Sequence, residues 1–167
     1  AVFYKDNSLA GIIRLPSAKT DKYSYGFVVQ KKKKNFRIYT WQDIIENKFN
    51  VEYLSKGTAL SVGSFDGVHK GHQVILKKVL EQKEYARGCV TFLSPAKLQS
   101  PSGEISSVEQ KIQIFSEMGF DFAIVIDFSP EFSKMEGTSF VRSLVELCSM
   151  RFIAEGQDFC CGYKGSF

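Results

Sequence analysis

No stretch of this chain approaches the ~20 consecutive apolar residues that a helix needs to cross a bilayer, and no secretory signal opens it. A cytoplasmic protein with no membrane contact is the expectation. Cysteine is sparse and poorly spaced for metal or disulfide work. Cys89 and Cys148 sit in apolar segments and read as small core residues, Cys160 and Cys161 are adjacent, and no C-x-x-C pair occurs. Histidine is scarcer still, with only His69 and His72 in the whole chain. Charge of one sign is also missing: 22 Lys and Arg stand against 18 Asp and Glu, with a pI near 8.8. That suits small anionic substrates such as nucleotides and falls short of the pI above ~9 with clustered cations that marks a nucleic-acid binder. The one dense basic cluster, Gln30 to Arg37 ("QKKKKNFR"), reads as a solvated connector rather than a phosphate-binding patch. Internal repeats are absent. So are G-x-G-x-x-G and the G-K-[ST] ending of a P-loop, and histidines three apart with no Glu after the first exclude a zincin helix.

What is present describes an ordinary globular chain. Hydrophobic residues make up 44% and charged residues 24% of 167, enough to close one core with extras. Fifteen Phe point to aromatic packing first and a planar ligand second. The chain starts without Met and stops at "GYKGSF", so it is expected to be a fragment, truncated at its C-terminus.

From Thr58 onward, strands and helices alternate. "TALSVGSF" is a buried strand ending in Gly and Ser. "HQVILKKVLEQKEYA" pairs Ile75 with Val79 and Leu76 with Leu80 at i, i+4, with charged residues opposite, and reads as an amphipathic helix. "GCVTFL" is a second strand. Ser106 stands three before Glu109, a capping-box spacing that opens the helix "VEQKIQIFSEM", with Gly119 as its C-terminal cap. "FDFAIVIDF" is the third strand, "TSFVRSLVELCSM" the next helix and "RFIAEG" the fourth strand. Near-continuous apolar strands alternating with helices predict an α/β fold, an open parallel sheet with helices on both faces. Ahead of this lie "AVFYKDNSLAGIIRLP" and "YSYGFVVQ", read as short strands. The short helix "TWQDIIENKF" follows, with Thr40 as cap and Asp43 in its first turn. A boundary is expected near the lysine run, leaving residues 1–37 as a strand-rich segment of unassigned purpose and 38–167 as the main domain.

The stretch "SVGSFDGVHKGHQVILKKV" places the end of the first strand, a glycine-rich turn and both histidines at one point. Open parallel sheets bind ligands at the carboxyl ends of their strands, where helix N-termini offer N–H groups and partial positive charge to phosphate. Gly63, Gly67 and Gly71 permit a tight turn and close backbone approach. Imidazoles at its mouth can donate to phosphate oxygens, carry positive charge, and stabilise charge developing on a leaving pyrophosphate. The spacing alone is equally compatible with a glycine turn bearing two surface histidines.

"GSFDGVHKGH" resembles the nucleotide-binding signature of bacterial FAD synthetases, the FMN adenylyltransferase module of riboflavin kinase/FAD synthetase. Its H-x-G-H element belongs to the wider nucleotidylyltransferase superfamily. "VTF" (Val90 to Phe92), "FSPEFSKMEGTSFV" (Phe128 to Val141) and "AEGQDFCCGYKGSF" are similar to later segments of the same family, in the same order. The resemblance covers Thr58 to Phe167 and extends toward Ile38. It departs in "VTFLSPAKL", where Ser94 stands at the place of a His in the family's usual Pro-His-Pro turn and only Pro95 is kept. That leaves one usual contact open. A later Ser/Thr-rich loop with an Arg would fall beyond Phe167.

The resemblance implies a Rossmann-like nucleotidylyltransferase fold and transfer of AMP from ATP to FMN, giving FAD and pyrophosphate. His69 and His72 would then be catalytic, gripping the ATP phosphates. Gly63, Ser64, Phe65, Asp66, Gly67 and Gly71 would shape the ATP pocket, with Phe65 readable equally as core and Asp66 as a helix cap. Asp158, in "GQDF", would meet FMN or magnesium, or serve as a turn aspartate. Phe128, Phe132 and Phe140 read as core before flavin shelf. Mg2+, bridged by phosphates rather than caged by protein, is the implied cofactor. A riboflavin kinase module is a possible companion in the intact protein, whose oligomeric state is open. The alternatives are a related nucleotidylyltransferase acting on NMN or phosphopantetheine, and a nucleotide- or flavin-binding domain without turnover.

Overall fold

A computed structural model describes residues 2–5, 8–12, 35–93, 106–127, 129, 132–156 and 159. At the start of the chain β1 (Val2–Lys5) pairs antiparallel with β2 (Ser8–Ile12). The second strand expected there, in "YSYGFVVQ", lies outside the described residues, as do Lys31 to Lys34.

The main body opens with β3 (Arg37–Thr40), a strand hidden from sequence reading because only Tyr39 of its four residues is buried. It runs into α1 (Trp41–Ile45). The expected Thr40 cap is present and extends to a capping box: the Thr40 hydroxyl accepts the Asp43 N–H at 3.1 Å, and the Asp43 carboxylate accepts the Thr40 N–H at 2.8 Å. The helix stops at Ile45, and Asn50 caps a separate short helix, α2 (Val51–Lys56), that the sequence reading lacked. Then come β4 (Thr58–Val62), α3 (Lys70–Leu80), β5 (Ala86–Leu93), α4 (Val108–Met118), β6 (Phe122–Asp127), α5 (Gly137–Cys148) and β7 (Met150–Ile153). Two boundaries moved. Helix α3 ends at Leu80 rather than Ala86, which instead begins β5. The capping box of α4 uses Ser107 and Gln110, one residue past the expected Ser106 and Glu109.

Strands β3, β6, β5, β4 and β7 lie in that order, every neighbouring pair parallel. This is the open α/β sheet expected. Its two faces differ in side-chain size. Leu60, Val62, Val90, Ile124 and Ile126 pack with Trp41 and Ile44 of α1 and with Phe140, Leu144 and Cys148 of α5. Small residues Ala59, Cys89 and Ala123 face the other way, which lets Leu76 and Val79 of α3 and Phe115 of α4 come close. Burial pushes the Cys148 thiol up to about 12 and Cys89 well above its usual value, so both act as small apolar core groups, as expected. Phe132 and Phe140 meet edge-on at 5.7 Å, with Trp41 against both, so these two rings are core; Phe128 lies outside the described residues. None of the helices described is long and apolar enough to cross a membrane.

Candidate active site

The sheet order decides where a ligand can enter. From β4 the chain moves to β5 and β6 on one side, then returns through α5 to β7 on the other. The carboxyl ends of β4 and β7 therefore flank the switch point at which open α/β sheets form their crevice. The segment between β4 and α3 projects from there.

Its backbone is tightly wound. Phe65, Gly67 and Val68 all adopt positive φ, at 49°, 65° and 39°. For a phenylalanine and a β-branched valine this is a strained conformation, costing on the order of 1–3 kcal/mol each, and it survives only when surroundings over-determine it. They do so here. Phe65 is 2% exposed and Val68 3%, and the Phe65 ring meets Phe115 edge-on at 5.4 Å. Phe65 thus packs as a core anchor of the turn. A Cβ on Gly63 would meet that ring at 3.2 Å.

Hydrogen bonds fix the rest. The Ser106 hydroxyl donates to the Asp66 carboxylate at 3.2 Å and accepts the Gly67 N–H at 2.8 Å, while the Ser106 N–H reaches the same carboxylate at 3.0 Å. Asp66 braces the loop across to the entry of α4. Thr91, fully buried in the "VTF" of β5, donates its hydroxyl to the Ser64 carbonyl at 3.2 Å, and the Gly63 N–H bonds to the Val90 carbonyl at 3.0 Å. Ser64 itself is exposed.

Both histidines sit on the first turn of α3. His69 is its N-cap, with Nδ1 accepting the Gly71 N–H at 3.2 Å. In a neutral ring that places the proton on Nε2, which is left to donate outward. The two rings stack, with centroids 3.7 Å apart and planes 25° from parallel. His72 is half-buried, and its Nδ1 is a buried atom with no hydrogen-bond partner. Burial holds its pKa below the usual value, helped by the His69 charge and, weakly, by Lys111, against a pull from Asp66. The expected positive charge is therefore disfavoured on His72, which acts at neutral pH as an uncharged imidazole with an unmet polar atom.

Sequence reasoning brought His69, His72, Gly63, Ser64, Phe65, Asp66, Gly67 and Gly71 to one place, and the structure assembles them there. Asp158 lies outside the described residues, as do Ser94 and Pro95. Three contributors were missed. Ser106 was read as a helix cap, and Thr91 as plain strand. Lys111, fully buried in α4, had a visible signal: a lysine four residues before Phe115 on an apolar stripe.

Among the described residues no three His, Cys, Asp or Glu cluster to hold a metal, and the Asp66 carboxylate accepts from Ser106. A cavity of about 310 Å3 opens at the other end of the sheet, lined in part by Arg37, Lys56, Lys83 and Arg87. Helices α2 and α3 end on that side with Lys56, Lys77 and Lys78 in their last turns, and Arg87 pairs with Asp121 at 3.1 Å. Cations there complement negative helix ends, so this lining answers to the fold rather than to an anionic ligand.

Known proteins resemble this chain over most of its length. Residues 51–166 match the family described as FAD synthetase. The chain is 27% identical over 130 residues to the bifunctional riboflavin kinase/FMN adenylyltransferase of Buchnera aphidicola, covering 72% of this chain and 41% of that protein. It is also 27% identical over 122 residues to the protein of the same description from Escherichia coli, covering 67% and 39%. The chain thus spans about two-fifths of the length of these relatives. A solved structure from Streptococcus pneumoniae described as a macrolide-efflux protein superposes with a TM-score of 0.54 at 22% identity, over 64% of this chain and 38% of that one, a likeness of fold alone. With more than half of its length matched, the histidine-bearing turn included, this chain belongs to the FAD synthetase family.

Proposed function

We propose that this chain is the FMN adenylyltransferase module of a flavin-forming enzyme, transferring AMP from ATP to FMN with release of pyrophosphate. The observation that carries this reading is the stacked His69–His72 pair on the first turn of α3, at the carboxyl end of β4, in a chain of the FAD synthetase family.

FMN brings its own nucleophile. A phosphate oxygen of FMN forms a bond to the α-phosphorus of ATP as the bond from that phosphorus to the bridging oxygen breaks, and pyrophosphate leaves with the electron pair. No covalent enzyme intermediate is needed, so the protein's part is alignment and stabilisation of developing charge. His69 donates its Nε2–H, and His72 fills its unmet valence on a phosphate oxygen. Gly63, Ser64, Asp66, Gly67 and Gly71 hold the backbone that lies against the nucleotide. Magnesium would be held by the phosphates of ATP and would offset their charge, and Asp158 would take part in binding FMN or that ion. Residues 38–167 form this module and 1–37 an added segment. We place the intact protein in the cytoplasm, and a riboflavin kinase module accompanies it there, the latter as the description of its relatives suggests.

The test is direct: purified protein is mixed with ATP, magnesium and one acceptor at a time, and products are separated by chromatography. FAD from FMN supports the reading. Product from NMN or phosphopantetheine alone assigns a sister activity, and tight binding without product assigns a non-catalytic domain.

A further inference from the structure

Strand β7 leaves the sheet early. It pairs with β4 only from Thr58↔Met150 to Leu60↔Ile153, with an irregularity between Thr58 and Ala59, and its last backbone bond runs from the Ala154 N–H to the Leu60 carbonyl at 3.0 Å. On its other side β4 stays paired with β5 through Val62, and Gly63 still donates to Val90. Backbone groups alternate sides along a strand, so the Val62 N–H, two residues beyond Leu60, points toward the β7 side, where among the described residues no further strand backbone answers it. The Glu155 carboxyl takes it instead, with Oε1 2.6 Å from the Val62 nitrogen.

Building on the reading above, we propose that Glu155 is a positioning residue for nucleotide transfer: its side chain replaces a strand carbonyl, so that β7 can part from β4 at the switch point while the strand end carrying Gly63 to His72 stays fixed. Among the described residues, three distant side chains then hold the loop by hydrogen bonds. Thr91 holds Ser64, Ser106 holds Asp66 and Gly67, and Glu155 holds the root at Val62. The first two tie the loop to β5 and to the entry of α4. Among the described residues, Glu155 ties it to the β7 side of the crevice. Burial pushes this carboxyl up to about 8, against the lowering effect of the Val62 N–H, so at neutral pH it is mainly uncharged and accepts through its carbonyl oxygen. A glutamine has the same shape and the same acceptor.

The test compares Glu155→Gln and Glu155→Ala in the full chain, with Ile153→Ala as a β7 control that leaves the acceptor in place. Hydrogen exchange at the Val62 amide reads the tether without reference to activity. Protection is expected to persist in Glu155→Gln and Ile153→Ala and to be lost in Glu155→Ala. For FAD formation, kcat/KM for ATP is expected to fall about 10–100-fold in Glu155→Ala, the scale set by a small misplacement of reacting groups. Glu155→Gln should stay within about twofold of the parent, and Ile153→Ala should lose melting temperature without this kinetic loss. Two results overturn the proposal: unchanged exchange and kinetics in Glu155→Ala, or a kinetic loss in Glu155→Gln as large as in Glu155→Ala. If the parent protein makes no FAD, the adenylyltransferase reading fails, while Val62 exchange still decides whether the tether exists.

Discussion

The imidazole of His72 lies against that of His69 at 3.7 Å between ring centroids, and it meets Phe65 in an edge-on contact at 5.4 Å. Two imidazolium ions at such a distance repel, and the inner ring has lost part of its hydration. His72 is expected to titrate below the ordinary imidazole value of about 6.5 when followed by NMR of its ring protons. Stability linked to its neutral state is present above that value and falls as pH drops through the lowered one.

Lys111 supplies part of this effect from beneath. Replacing it with a neutral side chain, Lys111→Met, removes a charge that disfavours protonation of His72, so the His72 midpoint should rise. The rise should be a minor share of the total displacement, because burial is the largest cause and Lys111 the smallest. A midpoint that stays put or falls contradicts the placement of that charge.

Ser106 and Asp66 should behave as one unit. Ser106→Ala removes the hydroxyl that donates to the Asp66 carboxylate and accepts the Gly67 N–H, a loss of about 1–3 kcal/mol on the scale of a polar group deprived of its partner. Asp66→Ala removes the other end of the same contact. Denaturant melts of the two single variants and the double should reveal a coupling of about 0.5–3 kcal/mol. Simple additivity would mean that the loop is held by something else.

Much of this could be read from the order of residues, and the exceptions have physical causes. The alternation of apolar strands with amphipathic helices from Thr58 onward was legible because every position of β4 is buried and α3 shows one wet face. β3 was not, since an edge strand with a single buried residue carries no pattern. The histidine turn was legible through its glycines. Its supports were not, because they come from 27 to 93 residues away in the chain: Thr91 for Ser64, Ser106 for Asp66, Glu155 for Val62. Ser106 was misread because two serines stand side by side and either could start a capping box. The second one does, which frees the first for the loop.

Glu155 makes stability fall as pH rises from the acidic range through neutrality. Its folded pKa of about 8 lies above the ordinary 4.5, so the folded state holds a proton that the unfolded state gives up. Stability from this group is fully present below about 4.5, declines as pH rises from there to about 8, and then levels off. Cys89, its titratable neighbour, stays a neutral thiol throughout this window. The midpoint difference between Glu155→Gln and the parent in denaturant melts should grow across the window in favour of the glutamine. A difference independent of pH would place the carboxyl in solvent.

The central claim is that the paired imidazoles on the first turn of α3 carry adenylyl transfer. It is tested most directly by chromatographic measurement of FAD formed from FMN, ATP and magnesium by the parent protein and by folded His72→Ala. The expected result is steady FAD formation by the parent and a loss on the order of 10²-fold or more in the variant, the scale of removing one charge-stabilising donor. FAD formation at the parental rate by His72→Ala would contradict it.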